Sequence, residues 1–151
     1  MPASSRDQAV AGLTAFQDRL DEAWARGRSE YDRVFDNAPG GIGVHEIDVH
    51  RRIMRVNPEE LRLLGYRESE MVGKPAMDFI VMQEVSQRAI DKKLAGSVEL
   101  KPFVRAFRRK DGSAITLMLL DRHLRTPSGQ IAGIRTAMTE VDASAAAPER
   151  R

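Results

Sequence analysis

The sequence contains no cysteine. That absence excludes disulfide staples, thiolate catalysis and cysteine–zinc sites, so a stable fold has to come from apolar burial. Aromatic residues are scarce too, at 5% with one tryptophan, Trp24. No apolar run approaches the roughly 18–20 residues of a membrane span. The longest, Ile115 to Leu120, is broken by Thr116 and closed by Asp121. The opening residues Met1-Pro2-Ala3-Ser4-Ser5-Arg6-Asp7 lack the charged-then-apolar layout of a secretion signal. These absences give the expectation of a cytoplasmic protein with no membrane partner. Neither sign of charge dominates: 24 Lys and Arg face 22 Asp and Glu, and a net of +2 argues weakly for nucleic acid, which is not expected as a partner.

What is present fits one globular domain with a modest extension: 151 residues, 42% apolar and 30% charged. Residues 6 to about 37 read as one long helix. A stripe runs through Val10, Leu13, Gln17, Leu20, Trp24, Gly27, Tyr31 and Val34 in alternating steps of three and four, with charged residues between. Such a stripe serves either packing on its own domain or pairing with a second copy. Its narrowness, and its place ahead of the domain, favour a homodimer seam through Val10, Leu13, Gln17, Leu20, Trp24 and Tyr31. Gly27 weakens the pairing reading, since glycine costs about 1 kcal/mol against alanine within a helix.

Pro39-Gly40-Gly41 ends this segment, and two strands over 42–48 and 52–57 read as a hairpin. Asn57-Pro58 has the form of a helix start, with Asn capping and Pro in the first turn, and Gly65 stops that helix. Short helical turns follow over 68–74 and 75–80. A better helix spans 83–95 with Val85, Ala89, Ile90 and Leu94 on one side. Extended segments over 98–109, 114–125 and 131–141 are joined by turns at 110–113 and 126–130. This order predicts an α+β fold: a five-stranded antiparallel sheet, short helices on one face and a long N-terminal helix. The expected divisions are a helix over 1–30, a domain over 31–141 and a flexible tail over 142–151. The fourth strand is apolar on both faces, so its second face needs a cover. The N-terminal helix, a partner chain, or both can supply it.

The segments Tyr31-Asp-Arg-Val-Phe-Asp-Asn-Ala-Pro-Gly-Gly-Ile-Gly-Val44, Ile53-Met-Arg-Val-Asn-Pro-Glu-Glu-Leu-Arg-Leu-Leu-Gly-Tyr66, Ser69-Glu-Met-Val-Gly-Lys74 and Phe107-Arg-Arg-Lys-Asp-Gly-Ser113 occur in one order and spacing. With them the chain resembles a PAS domain, the bacterial sensory module, over roughly residues 30–141. Two positions depart from the family pattern. The first hairpin carries His50-Arg51 where Asp-Gly is usual, and Ala137-Met138-Thr139 stands where Asp-Ile-Thr is common. The resemblance implies a sensor or signal-transduction module without enzymatic activity. It also implies that any ligand lies between the sheet and the helices. Flavin photosensors of the family use a cysteine, haem-binding members an axial His in the helical segment, and FAD-binding members often a pocket Trp. Residues 76–95 contain no His and Trp24 lies outside the core, so haem and flavin are disfavoured, leaving no cofactor or an unknown small molecule.

A ligand in that place should touch Phe79, Ile80, Met82, Ile90, Phe103 or Leu119, with Arg105 and His123 as polar groups. The methionines Met71, Met77, Met82, Met118 and Met138 either fill an irregular core or shape a deformable pocket. His45, His50 and His123 show no metal spacing, and no paired acids or nucleophile–base set stands out. The basic run Arg105, Arg108, Arg109 and Lys110 reads as a solvated strand end ahead of an anion site. The function expected is a PAS module that dimerises and regulates a partner protein or effector, with a small ligand as its input. The alternatives are a ligand-free protein–protein interaction domain, whose interior should be fully packed, or a fragment of a larger sensor kinase or cyclase.

Overall fold

The computed structural model describes residues 5–142, so most of the expected tail over 142–151 lies outside the described residues. Helix α1 spans Arg6–Arg26 and is capped by the Ser5 hydroxyl, which accepts from the Gln8 N–H. The single helix expected over 6–37 is two. Gly27 adopts φ 133°, a value side chains disfavour, and a second helix α2 over Arg28–Asp36 begins immediately after it. The break redirects the chain so that Tyr31, Val34 and Phe35 of α2 reach the same apolar layer as α1.

Five strands follow in one antiparallel sheet: β1 over Ile42–Asp48, β2 over Ile53–Val56, β3 over Phe103–Arg108, β4 over Ala114–Arg125 and β5 over Ile131–Glu140. Their spatial order is β2-β1-β5-β4-β3. Between β2 and β3 lie helices α3 over Pro58–Leu64, α4 over Glu68–Met71, a 3-10 turn over Ala76–Phe79, and α5 over Gln83–Leu94. In the β1–β2 turn Arg51 takes the glycine-like conformation, φ 67°, at the position where the resemblance leads one to expect glycine.

The sheet is buried on both faces. Ile115, Leu117 and Leu119 of β4 point to the inner layer with Leu64, Met71, Phe79, Ile80, Ile90 and Phe107. Met118 and Leu120 point to the outer layer, where Ala9, Leu13, Phe16, Leu20 and Ala23 of α1 cover them. The second cover that β4 requires is therefore the chain's own N-terminal helix. Its buried stripe includes Phe16 and is wider than a two-helix seam, the form suited to lying on a sheet. Leu13, Gln17, Leu20 and Tyr31, expected at a dimer seam, are all buried against the chain's own sheet. Val10 is half-buried there, and Trp24 is 55% exposed. Helix α5 keeps Ile90 and Leu94 of its expected face on the core, but Val85 is exposed, and Ser86 and Lys93 also point inward. Lys93 reaches a buried carboxylate on β4. No helix among the described residues is long and apolar enough to cross a membrane.

Candidate functional site

A close crossing builds the polar end of the inner layer. A Cβ on Gly43 would lie 2.8 Å from Cβ and 2.9 Å from Cα of Glu60, so only glycine lets α3 press this closely on β1. Asn57 fixes the crossing: its Oδ1 accepts from the Glu60 N–H at 3.0 Å, capping α3, and from the Val44 N–H at 2.9 Å. Glu60 is thereby fully buried over His45, whose Nδ1 lies 2.8 and 3.0 Å from its two carboxylate oxygens. Burial opposes charge on this imidazole. The Glu60 carboxylate, through its charge and its hydrogen bond, outweighs that with help from Asp121, and Arg105 opposes them; the pKa is raised above the usual histidine range.

The strand register extends this pair into a row. His45 of β1 faces Thr136 of β5, and Thr136 faces Asp121 of β4. The Thr136 hydroxyl donates to Asp121 Oδ1 at 2.6 Å, and the Lys93 ammonium donates to Oδ2 at 2.8 Å. Burial lowers the Lys93 pKa against the pull of Asp121. The ammonium also lies 3.5 Å from the centroid of the Phe103 ring, and the Arg105 guanidinium 4.7 Å from it. A cavity of about 10 Å³ lies in front of this row, room for about one water molecule.

Of the expected ligand contacts, Phe79, Ile80, Ile90, Arg105 and Leu119 line this cavity. Met82 does not; it precedes α5 and is 61% exposed. Phe103 stacks beneath the Lys93 and Arg105 cations, and His123 Nε2 bonds the Lys93 carbonyl at 2.8 Å, so neither lines it. The polar members His45, Glu60, Asp121, Thr136 and Lys93 were missed from sequence. The signals were small: Glu60 stands three residues after a cap, and Asp121 abruptly ends the longest apolar run.

One residue along the same three strands, a second row faces the outer layer: Glu46, Arg135 and Arg122, again in direct register. This row holds the N-terminal helices. Arg135, 3% exposed, donates from Nε to Gln17 Oε1 at 2.6 Å and from Nη2 to Asp21 at 2.5 Å. Gln17 Nε2 returns two bonds to the sheet, to the carbonyls of Leu120 and Arg135. The Tyr31 hydroxyl donates to Glu46 at 2.5 Å, and Arg122 pairs with Asp18 and Asp21 of α1. Burial raises the Tyr31 pKa; Arg135 opposes this and Glu46 adds to it.

A family model described as the PAS fold matches residues 29–140. The chain belongs to the PAS family. PAS domains are in general sensory and signalling modules. No curated protein sequence matches the chain. Among solved structures, the PAS domain of an HTR-like protein from Haloarcula marismortui is similar at 22% identity and TM-score 0.62, covering 85% of this chain and 99% of that one. A PAS domain from Colwellia psychrerythraea is 14% identical with TM-score 0.65, covering 75% and 95%. A light-oxygen-voltage domain studied with a flavin analogue is 21% identical with TM-score 0.62, covering 83% and 93%. At these identities the likeness concerns the fold. Between Phe79, Ile80 and Leu119 the interior of this PAS domain leaves a cavity of about 10 Å³. Among the described residues no group of three His, Asp or Glu could hold a metal ion.

Proposed function

We propose that this PAS domain is a relay module. Its input acts on the buried row His45–Thr136–Asp121, and its output is the hold of the sheet on α1 and α2, read by a regulated partner protein. The observation that carries this reading is the placement of two polar rows back to back on β1, β5 and β4. The inner row faces the cavity and the outer row anchors the N-terminal helices. A change of charge or contact at Asp121 or Thr136 acts on strands whose next residues are Arg122 and Arg135. An apolar sheet face lets packed elements slide at low cost; discrete hydrogen bonds fix one arrangement.

The test is Asp121→Asn, which removes the charge opposite Lys93 while keeping the shape. Amide hydrogen exchange in α1 around Gln17–Ala23 should then quicken about tenfold or more, the signature of local opening with a lowered free energy. A change confined to α5 and β4 refutes the relay. The volume of about 10 Å³ favours a second reading, a ligand-free interaction domain, because ligand sites usually enclose roughly 300–1,000 Å³. Native mass spectrometry separates the two by showing either the bare chain or a retained small molecule, and it reports the oligomer mass directly.

A further inference from the structure

The start of α3 is tied to β1 and the turn before it by three side chains. Glu59 accepts from the Gly41 N–H at 2.9 Å, Asn57 Oδ1 accepts from the Val44 N–H at 2.9 Å, and Glu60 meets the His45 imidazole at 2.8 and 3.0 Å. Asn57 does not titrate. The Arg62 guanidinium bonded to Glu59 holds its carboxyl below the usual range, so that tie keeps its charge at neutral pH. Of the three, the tie at His45 is the one that changes charge near neutrality: a neutral imidazole can keep one hydrogen bond but not the ion pair. The cavity of about 10 Å³ against His45 matches one water molecule, the smallest proton carrier.

Burial opposes a charge on His45, Glu60 of α3 and Asp121 of β4 favour it, and Arg105 of β3 opposes it. Lys93 of α5 is spent on Asp121. The register partners on β5 and β2 are Thr136 and Val56, and α4 and the 3-10 turn face the same cavity with Met71, Ala76 and Phe79, none of which titrates there. On the opposite face of β1, the next residue holds α2. Glu46 accepts from the Tyr31 hydroxyl at 2.5 Å. Its register partner on β2, Arg55, pairs with Asp32 at 2.7 Å and Asp36 at 3.4 Å, and its guanidinium lies 4.1 Å from the centroid of the Phe35 ring. The β1–β2 ladder is irregular between Glu46 and Ile47, so pairing is locally disrupted where His45 and Glu46 sit.

We infer, resting on the relay proposed above, that its input is a proton on His45. With the proton bound, Glu60 clamps α3 to β1, and Glu46 and Arg55 hold α2. With the proton released, the clamp slackens and the hold on Tyr31 loosens with it. The clamped arrangement binds the proton more tightly, because there a buried carboxylate stands 2.8 Å from the imidazole. By that difference in affinity, and by no more than it, the proton shifts the balance between the two arrangements.

Trp24, the only tryptophan, is a built-in reporter: it is 55% exposed and packs edge-on against Tyr31 at 5.0 Å. Burial keeps the Tyr31 phenol above its usual range, so it stays protonated at neutral pH. His123 lines the same outer hollow as Trp24, so its titration has to be told apart. The test records Trp24 emission of the intact chain from about pH 5.5 to about 9, while NMR follows the Cε1–H resonances of His45, His50 and His123 and circular dichroism confirms the fold. Emission should shift in one step whose midpoint is that of His45 and lies above about pH 6.5. Amide exchange of Tyr31–Phe35, normalised to the intrinsic rate at each pH, should quicken about tenfold or more across that step. His50→Gln and His123→Gln should keep the step; Glu60→Gln should move it down by at least about one pH unit, a tenfold loss of proton affinity. If Glu60→Gln does not fold, the wild-type midpoints decide by themselves. No step, or a midpoint that follows His50 or His123, overturns the proton as input. In that event, faster exchange of α1 in Asp121→Asn leaves the relay standing with another input, and unchanged exchange there removes the relay as well.

Discussion

Replacing Glu60 by glutamine keeps the side chain's shape and removes its charge, which isolates the role of the buried pair. In the native protein the two carboxylate oxygens lie 2.8 and 3.0 Å from His45 Nδ1, with Glu60 fully buried. The folded pKa of His45 is raised above the unfolded value of about 6.5. The pair's contribution is therefore complete below about pH 6.5 and is lost as pH climbs through the raised value. At such a distance the gross attraction is about 6 kcal/mol with an effective dielectric near 20. Much of it is offset by desolvation, and breaking a buried pair by removing one partner typically costs about 3–5 kcal/mol. In the variant, burial still disfavours the charged imidazole, and Asp121 and Arg105 push it in opposite directions. His45 then releases its proton, and the fall of stability with rising pH disappears. The variant should be less stable by about 3–5 kcal/mol near pH 5.5. Above the raised pKa the deficit should shrink toward about 1 kcal/mol, the net worth of an ordinary hydrogen bond. Urea unfolding at about pH 5.5, 7 and 8.5 measures it. A deficit independent of pH, or one below about 1 kcal/mol at the acid end, refutes an ion-paired His45.

Two further outcomes follow from packing. Gly43→Ala drives a methyl to 2.8–2.9 Å from the α3 backbone and the Glu60 stem, so the helix must shift. Overpacking of this kind should cost about 1–3 kcal/mol, read as a lower denaturant midpoint with an unchanged slope. The double change Leu13→Glu with Leu20→Glu places two carboxylates in the outer core, where both leucines have no exposure. Each leucine contributes roughly 1.5–3 kcal/mol by burial, so circular dichroism should report an unfolded chain. A folded monomer in sedimentation would instead return α1 to a dimer seam.

The legible parts of the fold were those written locally. Asn57-Pro58, Gly65 and the turn Asp111-Gly112 mark boundaries through side chains acting within a few residues, and α3, β3 and β4 begin or end close to them. The two-faced apolar pattern of β4 correctly demanded a second cover. Which chain supplies it was not legible, because a stripe at 3.5 and one at 3.6 residues per turn differ by only about 20° per heptad. The deciding residue is Phe16, buried just off the narrow stripe. The polar rows were hidden for another reason. Their members pair across 28 residues for Lys93 and Asp121 and across 118 for Gln17 and Arg135. No local pattern encodes such contacts, and a lysine or glutamine on a helix reads as solvated until its partner is known.

Two kinds of contact in the outer layer hold α1, and the difference bears on how it could be released. The apolar contacts of Leu13, Phe16 and Leu20 supply adhesion that is non-directional and insensitive to small shifts of the sheet. The bonds of Gln17, Asp21 and Tyr31 to Arg135, Glu46 and the Leu120 carbonyl require particular positions of three strands at once. When α1 lifts, Arg135 and Glu46 regain water, so much of what the polar bonds contributed is returned by hydration. Exposed leucines and phenylalanine receive no such return. Adhesion therefore sets the stability of the closed state, and the polar row sets its register. A strand movement too small to disturb leucine packing is still large against a 2.6 Å hydrogen bond such as Arg135 to Gln17. In the proposed relay the outer row is thus the part of the interface that would respond first to a change on the inner row, one residue away on the same strands.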